Sequence, residues 1–304
     1  MSRFGWLALL ATLGCGGAAS DHERLGDEAY GKGSFPKALA EYRAAERGGA
    51  RRGIWAKVAA SAFHNRDFSG AIDAYRQLAT DDPTRASEAA TGLERIARAA
   101  ERAGAGEVPT LARAILALRA VAPGRPLGRL ALHPAGVPNL ERADLLGLVP
   151  AALASAAGPR SVDSLLLTYA DAQRLTTACD AAARSYRTVL RRTDDARQRT
   201  MARDGLASCA LQLGLDALAA QAPGEAEQWF ETALGVAAGS PRGLRAQIGL
   251  GEARLAQGDL LGASIAFQAV LSAAGAPDSL QALATQKLNA LGAAGDAPPP
   301  ETRS

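Results

Sequence analysis

The chain has 304 residues, of which 48% are hydrophobic and 21% charged, so it has enough apolar material for a buried core, and wholesale disorder is excluded. Aromatic residues make up only 5%, whereas Ala and Leu dominate, a mixture that favours closely packed helices over an extended sheet. A formal net charge of +3 without any basic block argues against a nucleic-acid surface.

The N-terminal residues MSRFGWLALLATLGC read as a targeting segment. Arg3 supplies a positive charge, and the apolar run from Phe4 to Leu13 has about half of the ~20 residues that a membrane-spanning helix needs. The run 12–15, Thr-Leu-Gly-Cys, resembles the lipobox of bacterial lipoprotein precursors, although the lipobox prefers Leu at the first of these positions and a small residue at the second. The resemblance implies a signal peptide over 1–14, a lipid on the Cys15 thiol and, because Gly16 follows, the outer membrane. An ordinary signal peptide with a later cleavage site and a short membrane anchor stay open as alternatives.

Two helical pairs with a common spacing follow. The first has apolar and small positions at Leu25, Gly26, Tyr30, Ala38, Leu39, Tyr42 and Ala45, and the second at Trp55, Val58, Ala59, Phe63, Ala71, Ile72, Tyr75 and Leu78. Their equivalent alanines Ala38 and Ala71 are 33 positions apart. This pattern resembles the tetratricopeptide repeat (TPR), a two-helix hairpin of about 34 residues in which small residues lie where the helices cross and an aromatic side chain fills the gap.

Further copies follow the same pattern. A divergent pair spans 85–122, and three clearer copies are marked by Tyr169, Ala182 and Tyr186, by Gly214, Ala226 and Phe230, and by Gly251, Ala263 and Phe267. Residues 278–291 predict a capping helix that ends at Gly292. The resemblance therefore implies an all-α fold, an α-solenoid of antiparallel helix hairpins in a TPR-like superhelix.

Six prolines break the pattern between residues 123 and 160. We interpret this segment as an irregular Pro/Gly-rich insertion with one helical stretch from about Leu140 to Leu153, interrupted at Pro150. The predicted organisation is a signal peptide over 1–14, TPR-like repeats over 15–122, the connector over 123–160, TPR-like repeats with the capping helix over 161–293, and a disordered tail over 294–304.

The sequence offers no constellation for catalysis, a metal or a cofactor. None of His22, His64 and His133 has a second metal-competent residue at helical spacing, and the chain lacks a G-x-S-x-G elbow, an H-E-x-x-H pair and a P-loop. We therefore expect no enzyme, no metal and no cofactor.

Cys179 and Cys209 are the other two thiols. An oxidising envelope would allow a disulfide between them. However, the predicted hairpins put Cys179 at a turn and Cys209 near the opposite end of the next first helix, beyond the ~7 Å between Cα atoms that a disulfide needs. We expect two small, buried apolar residues.

The TPR resemblance also implies a binding face, because the first helix of each hairpin in that family lines a concave surface that commonly holds a peptide. Mapped onto this chain, the lining residues are Asp27, Tyr30, Phe63, His64, Asp171, Arg174, Arg245, Glu252 and Leu255. Chaperone-binding members hold a C-terminal carboxylate with a basic, Asn-bearing clamp. Here the positions that match the clamp's Asn are Asp27, Ala60, Asp171, Leu215 and Glu252, so that class of partner is disfavoured. A solvated helix face is the alternative to a binding face.

These patterns together predict a scaffold or assembly factor. It would be lipid-anchored in the cell envelope, at the outer membrane and facing the periplasm, where it would hold a segment of another envelope protein. The alternatives are a wall-modifying enzyme or enzyme accessory with a site in 123–160, and a soluble TPR adaptor without a lipid.

Overall fold

The computed structural model describes residues 15–50, 53–135 and 140–295. In these residues the regular structure is helical, with fifteen α-helices packed as consecutive antiparallel pairs, which confirms the predicted all-α fold. The chain divides into two compact units, one ending at Ala156 and the other beginning at Ala157. The predicted signal peptide over 1–14 lies outside the described residues, as do residues 296–304 of the predicted tail.

The first unit contains eight helices within its described residues. They are α1 Cys15–Gly31, α2 Phe35–Arg47, α3 Ile54–His64, α4 Phe68–Asp81, α5 Ala86–Ala103, α6 Val108–Val121, the single turn α7 Leu132–Ala135, and α8 Arg142–Leu153. Helices α1 to α6 form three hairpins, and each hairpin packs against the next.

The second unit contains three further hairpins and a last helix within its described residues. The helices are α9 Pro159–Leu175, α10 Cys179–Arg192, α11 Ala196–Ala219, α12 Pro223–Ala237, α13 Pro241–Ala256, α14 Leu260–Leu271 and α15 Asp278–Gly295. Helix α15 packs against α14 as the predicted cap, and it continues three residues beyond the predicted stop at Gly292.

Side-chain caps fix where several of these helices begin. Asp67, Asp195, Ser240 and Asp259 each accept a hydrogen bond from the backbone N–H three residues further on. These bonds satisfy amides that have no partner inside the helix. The turn before α14 also needs Gly258, whose φ of +84° is costly for a residue with a Cβ.

One aromatic ring in the second helix of a hairpin holds it together. A Cβ on Gly26, Gly214 or Gly251 would lie 2.5 Å from the ring of Tyr42, Phe230 or Phe267, respectively. The ring at this position also touches the first helix of the next hairpin. A Cβ on Gly92, Gly205 or Gly249 would overlap the ring of Tyr75, Tyr186 or Phe230, respectively. The predicted pairing of small residues with aromatic rings is thus confirmed, and glycine is needed where the helices approach most closely.

The segment predicted as an irregular connector packs largely on the first unit. Leu130 and Leu148 belong to the core of that unit, and α8 contacts α6. The predicted break at Pro150 is wrong, because α8 continues through it to Leu153. Pro150 lies in the last turn, where it removes a single helical N–H, and the buried neighbours Val149 and Ala151 hold the turn in place.

None of the helices in the described residues is long and apolar enough to cross a membrane.

Candidate protein-binding face

In the second unit the first helices of the hairpins form one layer. Helix α11 contacts both α9 and α13, and α13 contacts α15, whereas α10, α12 and α14 make no comparably extensive contacts with one another in the described residues. In a stack of hairpins, the layer whose helices lie closer together is on the inside of the curve. Within this unit, α9, α11, α13 and α15 therefore line the concave side.

The two aspartates predicted to face a ligand are already bound inside their own hairpins. The Tyr42 hydroxyl donates to Asp27 Oδ1 at 2.8 Å, and the Tyr186 hydroxyl donates to Asp171 Oδ1 at 2.6 Å. In both pairs the tyrosine follows the aspartate by 15 positions. Burial together with the aspartate raises the pKa of each tyrosine, which keeps the hydroxyl protonated as the donor.

Lys57 ties the first helices α1 and α3 together. Its Nζ lies 2.8 Å from Glu23 Oε1 and 2.8 and 2.9 Å from the two carboxylate oxygens of Asp27. Burial by itself would raise the pKa of Asp27, but the hydrogen bonds from Lys57 and Tyr42 outweigh burial, and the pKa is lowered. Asp27 is therefore a charged link between helices and is not free for a ligand.

Tyr30, Phe63 and His64, also predicted for the binding face, meet in an aromatic cluster at the tips of the first two hairpins. The His64 ring stacks on Phe35 with centroids 4.5 Å apart and meets the edges of Tyr30 and Phe63 at 5.9 and 5.7 Å. Phe63 also packs on Phe68. His64 is exposed and the four other rings are half-buried. Phe35 and Phe68 were not predicted, although each opens a second helix directly after its turn.

The remaining predicted residues lie in the second unit and differ in what they contact. Arg174 donates to the Tyr186 hydroxyl at 3.2 Å and lies 3.4 Å from Asp171, so it belongs to that hairpin. Glu252 pairs with Lys287 of α15 at 2.8 Å. Arg245 differs, because its Nη1 is buried and has no hydrogen-bond partner among the described residues. A buried donor without an acceptor departs from the usual pairing of buried polar groups.

The large apolar side chains that are exposed among the described residues all lie in the second unit. Within the described residues the large ones are Leu175, Met201, Leu255, Leu260, Leu261, Ile265 and Leu271. Four of them fall between 255 and 265, at the tip of the α13–α14 hairpin, and we call Leu255, Leu260, Leu261 and Ile265 the apolar tip. Leu255 was predicted for the binding face; the other three were missed, because the TPR resemblance assigns a ligand to first helices only.

A signal for the apolar tip was nevertheless present in the sequence. Helix α10 carries four arginines and α12 carries three glutamates, whereas α14 has no charged residue. A second helix needs charge on its outer side to stay solvated. The lack of charge over 260–271 therefore predicts that this helix exposes apolar side chains.

A cavity of 1020 Å³ lies in the first unit, near the end of α2 and the start of α3, with Trp55 and Asp81 in its lining. Asp81 accepts hydrogen bonds from Trp55 and Gln77, both at 2.8 Å, and Asp82 caps the turn at Thr84. The two acids therefore have structural partners. Elsewhere, no three His, Cys, Asp or Glu side chains of the described residues are grouped so as to hold a metal ion.

The prediction that Cys179 and Cys209 lie far apart is wrong. Both are free thiols buried in one apolar cluster, which confirms that they are small buried residues, and the neighbouring Cys179 helps to raise the pKa of Cys209. The predicted distance failed because α11 has 24 residues and begins at Ala196, so that Cys209 lies in its middle. The side chain of Cys15, the predicted lipidation site, is outside the described side chains; its backbone begins α1.

Comparison with known proteins finds similar folds among solved structures. The crystal structure of PilW, a widely conserved type IV pilus biogenesis factor, matches 87% of this chain and 97% of its own at 13% identity and a TM-score of 0.30. The complex of the TPR2AB domain of yeast Sti1 with pHSP90 matches 91% of this chain and 97% of its own at 14% identity and a TM-score of 0.27. No protein-family model and no curated protein matches the chain. From its own hairpins, the chain is a TPR-like helical repeat protein.

Proposed function

We propose that this TPR-like protein is a protein-interaction scaffold and that its second unit holds a segment of another protein. The observation that carries the proposal is the apolar tip. Leu260, Leu261 and Ile265 expose 59%, 72% and 54% of their surface on a helix without a single charge. Such a grouping marks an interaction surface more often than isolated exposed side chains do.

The size of the apolar tip sets the strength of the complex. Fully burying a Leu or Ile contributes about 1.5–3 kcal/mol, so covering the exposed half or more of these three side chains contributes roughly 3–5 kcal/mol. Association itself costs at least about 4 kcal/mol. The apolar tip is therefore an anchor within a larger contact, and polar groups must supply the rest.

We assign that polar contact to Arg245, which is half-buried. It lies on α13, ten residues before Leu255, which corresponds to about 15 Å along a helix. A partner segment of about three helical turns spans that distance. Its chemistry would be apolar at one end, to cover the apolar tip, with a carbonyl or carboxylate acceptor at the other for the Arg245 guanidinium.

We also propose that the protein is lipid-anchored at Cys15 in the cell envelope, at the outer membrane and facing the periplasm, and that the partner is another envelope protein. The lipobox resemblance supports this proposal. Because α1 begins at Cys15, no long linker would separate a lipid there from the first hairpin. Stable anchoring needs about two acyl chains, as a multiply acylated cysteine provides.

A photo-crosslinking residue at Leu261, compared with one at Ser69, tests the scaffold. The two positions are equivalent, each two residues before the alanine that recurs in the second helix of the hairpins, Ala263 or Ala71, and both are exposed. We expect a reproducible adduct with one envelope protein from Leu261 and none from Ser69, and the adduct should disappear when Ile265 is changed to Lys. Equal adducts from both positions, or none from Leu261, would overturn the scaffold.

Metabolic labelling with a fatty acid tests the anchor separately. We expect label on the parent chain and none on Cys15→Ser. Label that is absent from the parent, or unchanged by the substitution, would contradict the anchor and leave the crosslinking result as it stands.

A further inference from the structure

The register of α10 and α11 brings two cysteines face to face. The helices are antiparallel, α10 ends at Arg192, and α11 begins at Ala196. Cys179 lies 13 residues before the end of α10, and Cys209 lies 13 residues after the start of α11. At the same rise per residue in both helices, the two cysteines are therefore at the same height.

The helices are also close enough for a bond. The two helices pack directly on each other, and they approach closely enough that a Cβ on Gly205 of α11 would overlap the ring of Tyr186 on α10. Packed helices have axes about 8–10 Å apart and Cα atoms about 2.3 Å from each axis, so directly facing Cα atoms are roughly 3.5–5.5 Å apart, a range that overlaps the one a disulfide needs. A disulfide needs about 4.4–6.8 Å.

We propose that Cys179 and Cys209 form a disulfide that joins α10 to α11, with their burial in one cluster and their equal height on packed helices as the geometric basis. This proposal does not depend on the proposed scaffold function. It requires only an oxidant of the disulfide class, either a small-molecule disulfide or the active-site disulfide of an oxidoreductase.

The reaction is a pair of thiol–disulfide exchanges. One cysteine loses its proton and attacks the oxidant's disulfide, which forms a mixed disulfide and releases one thiol of the oxidant. The second cysteine then loses its proton and attacks the mixed disulfide, forming the Cys179–Cys209 bond and releasing the second thiol. The protein loses two hydrogens and two electrons, and the oxidant gains them.

The surroundings indicate which cysteine reacts first. Cys179 is the first residue of α10 and is 9% exposed, whereas Cys209 is fully buried. Burial, together with the neighbouring Cys179 thiol, raises the pKa of Cys209. Cys179 is therefore the more accessible attacking thiol, and the second exchange proceeds most readily while the hairpins are still folding.

Once formed, the bond would close a loop of 31 residues, from 179 to 209, that includes α10 and half of α11. Restricting the unfolded chain in this way stabilises the fold. For a domain of about 150 residues, the chain-entropy argument corresponds to a rise in Tm of roughly 5–10 °C.

The test uses the full chain with Cys15→Ser, so that only the two cysteines of interest remain. The protein is refolded from urea in a mixture of reduced and oxidised glutathione, then unfolded and alkylated. We expect a mass two hydrogens below that of the dithiol with no added alkyl group, and a Tm roughly 5–10 °C above that of the sample reduced with dithiothreitol.

Cys179→Ser is the matched control, because it removes the partner at the less buried position. Its Tm should not respond to dithiothreitol, and Cys209 should take one alkyl group or one glutathione. Refolding allows both thiols to react before they are buried, so slow access cannot hide the bond. Two alkyl groups or glutathione adducts on the refolded parent, or a disulfide form with the lower Tm, would overturn the proposal.

Discussion

The two units use the same hairpin but leave different groups free. In the first unit, Lys57 joins Glu23 and Asp27 across two hairpins, and Arg125 reaches back from beyond α6 to Glu94 of α5. In the second unit, a guanidinium nitrogen of Arg245 has no hydrogen-bond partner in the part of the chain that the structure describes, and the apolar tip is exposed. A first helix therefore does not become a binding surface merely by its place in the repeat, because its polar groups must first be free of their neighbours.

The largest expected effect comes from substituting the glycines that lie against aromatic rings. It tests whether the ring–glycine contact between successive hairpins stabilises both units. Gly205→Ala and Gly92→Ala each place a Cβ inside an aromatic ring, and overpacking of this kind costs about 1–3 kcal/mol. We expect the larger loss for Gly205, because Tyr186 is fully buried and held by Asp171 and Arg174. Tyr75 is free to move further, because the residue 15 positions before it is Ala60 and not an aspartate that would accept its hydroxyl hydrogen bond. Urea unfolding followed by circular dichroism measures the loss, and hydrogen exchange identifies the unit affected.

Gly235→Ala is the control for this comparison. Gly235 lies in α12 with nothing near its would-be Cβ, so alanine should stabilise the chain by about 0.5–1 kcal/mol through helix propensity alone. If all three substitutions stabilise the protein alike, the rings do not hold the hairpins together.

A second prediction separates the two tyrosine–aspartate pairs. Tyr186→Phe should cost about 1–2 kcal/mol, because it leaves Asp171 with only the 3.4 Å contact to Arg174. Tyr42→Phe should cost less than about 1 kcal/mol, since Lys57 still holds Asp27. Urea unfolding of both variants gives the two values.

The hairpin of α11 and α12 suggests a test of whether the loss comes from an aspartate left without its hydrogen bond. It carries Phe230 with Leu215 fifteen positions earlier, in place of a tyrosine and an aspartate. The double variant Asp171→Leu with Tyr186→Phe copies that pair and should recover most of the stability lost by Tyr186→Phe alone. A double variant less stable than the single one would contradict the pairing argument.

These pairs also show which features of the fold can be predicted from the sequence. The hairpins, their aromatic rings, the small residues beneath the rings and the capping helix all follow from local spacing, because each depends on residues in one or two adjacent helices. The spacing of 15 between Asp27 and Tyr42 recurs between Asp171 and Tyr186, so the internal use of both aspartates was readable. It was missed because the TPR resemblance assigns those positions to a ligand.

The proximity of Cys179 and Cys209 could not be predicted from the sequence, for a different reason. Their register depends on where α11 begins, and residues 196–203 carry three arginines and little apolar pattern. The start of α11 is set instead by Asp195, which caps the amide of Gln198, and by Thr193, which is buried and bonded to the Gln198 side chain. A polar cap and a buried threonine fix this register, and neither contributes to hydrophobic periodicity.

Smaller effects are expected at two buried side-chain atoms, one in each unit, that have no hydrogen-bond partner among the described residues. Arg245→Met in the second unit and Ser61→Ala in the first each remove a buried donor that pays for burial without a hydrogen bond. We expect each free protein to be unchanged or stabilised by up to about 1 kcal/mol in urea unfolding.

The two positions should differ once a partner is present. Arg245→Met should weaken crosslinking from Leu261, whereas Ser61→Ala should leave it unchanged. Crosslinking that is equal in both variants would remove Arg245 from the proposed binding surface.

The smallest effect concerns acid and the Asp27 link in the first unit. The pKa of Asp27 is lowered in the fold from its ordinary 3.8, so the carboxylate contributes stability above about pH 4, and that contribution is lost as the pH falls through the lowered pKa. Asp27→Asn should therefore be less stable than the parent at pH 7, and the gap should close towards pH 2. Because 52% of the Asp27 side chain is exposed, we expect a gap of only a few tenths of a kcal/mol.

Glu227→Gln in the second unit is the matched comparison, since hydrogen bonds from Gln257 and Arg254 likewise lower the pKa of Glu227. Urea midpoints at several pH values measure both, and a gap that widens in acid would mean that Asp27 is held by its shape and not by its charge.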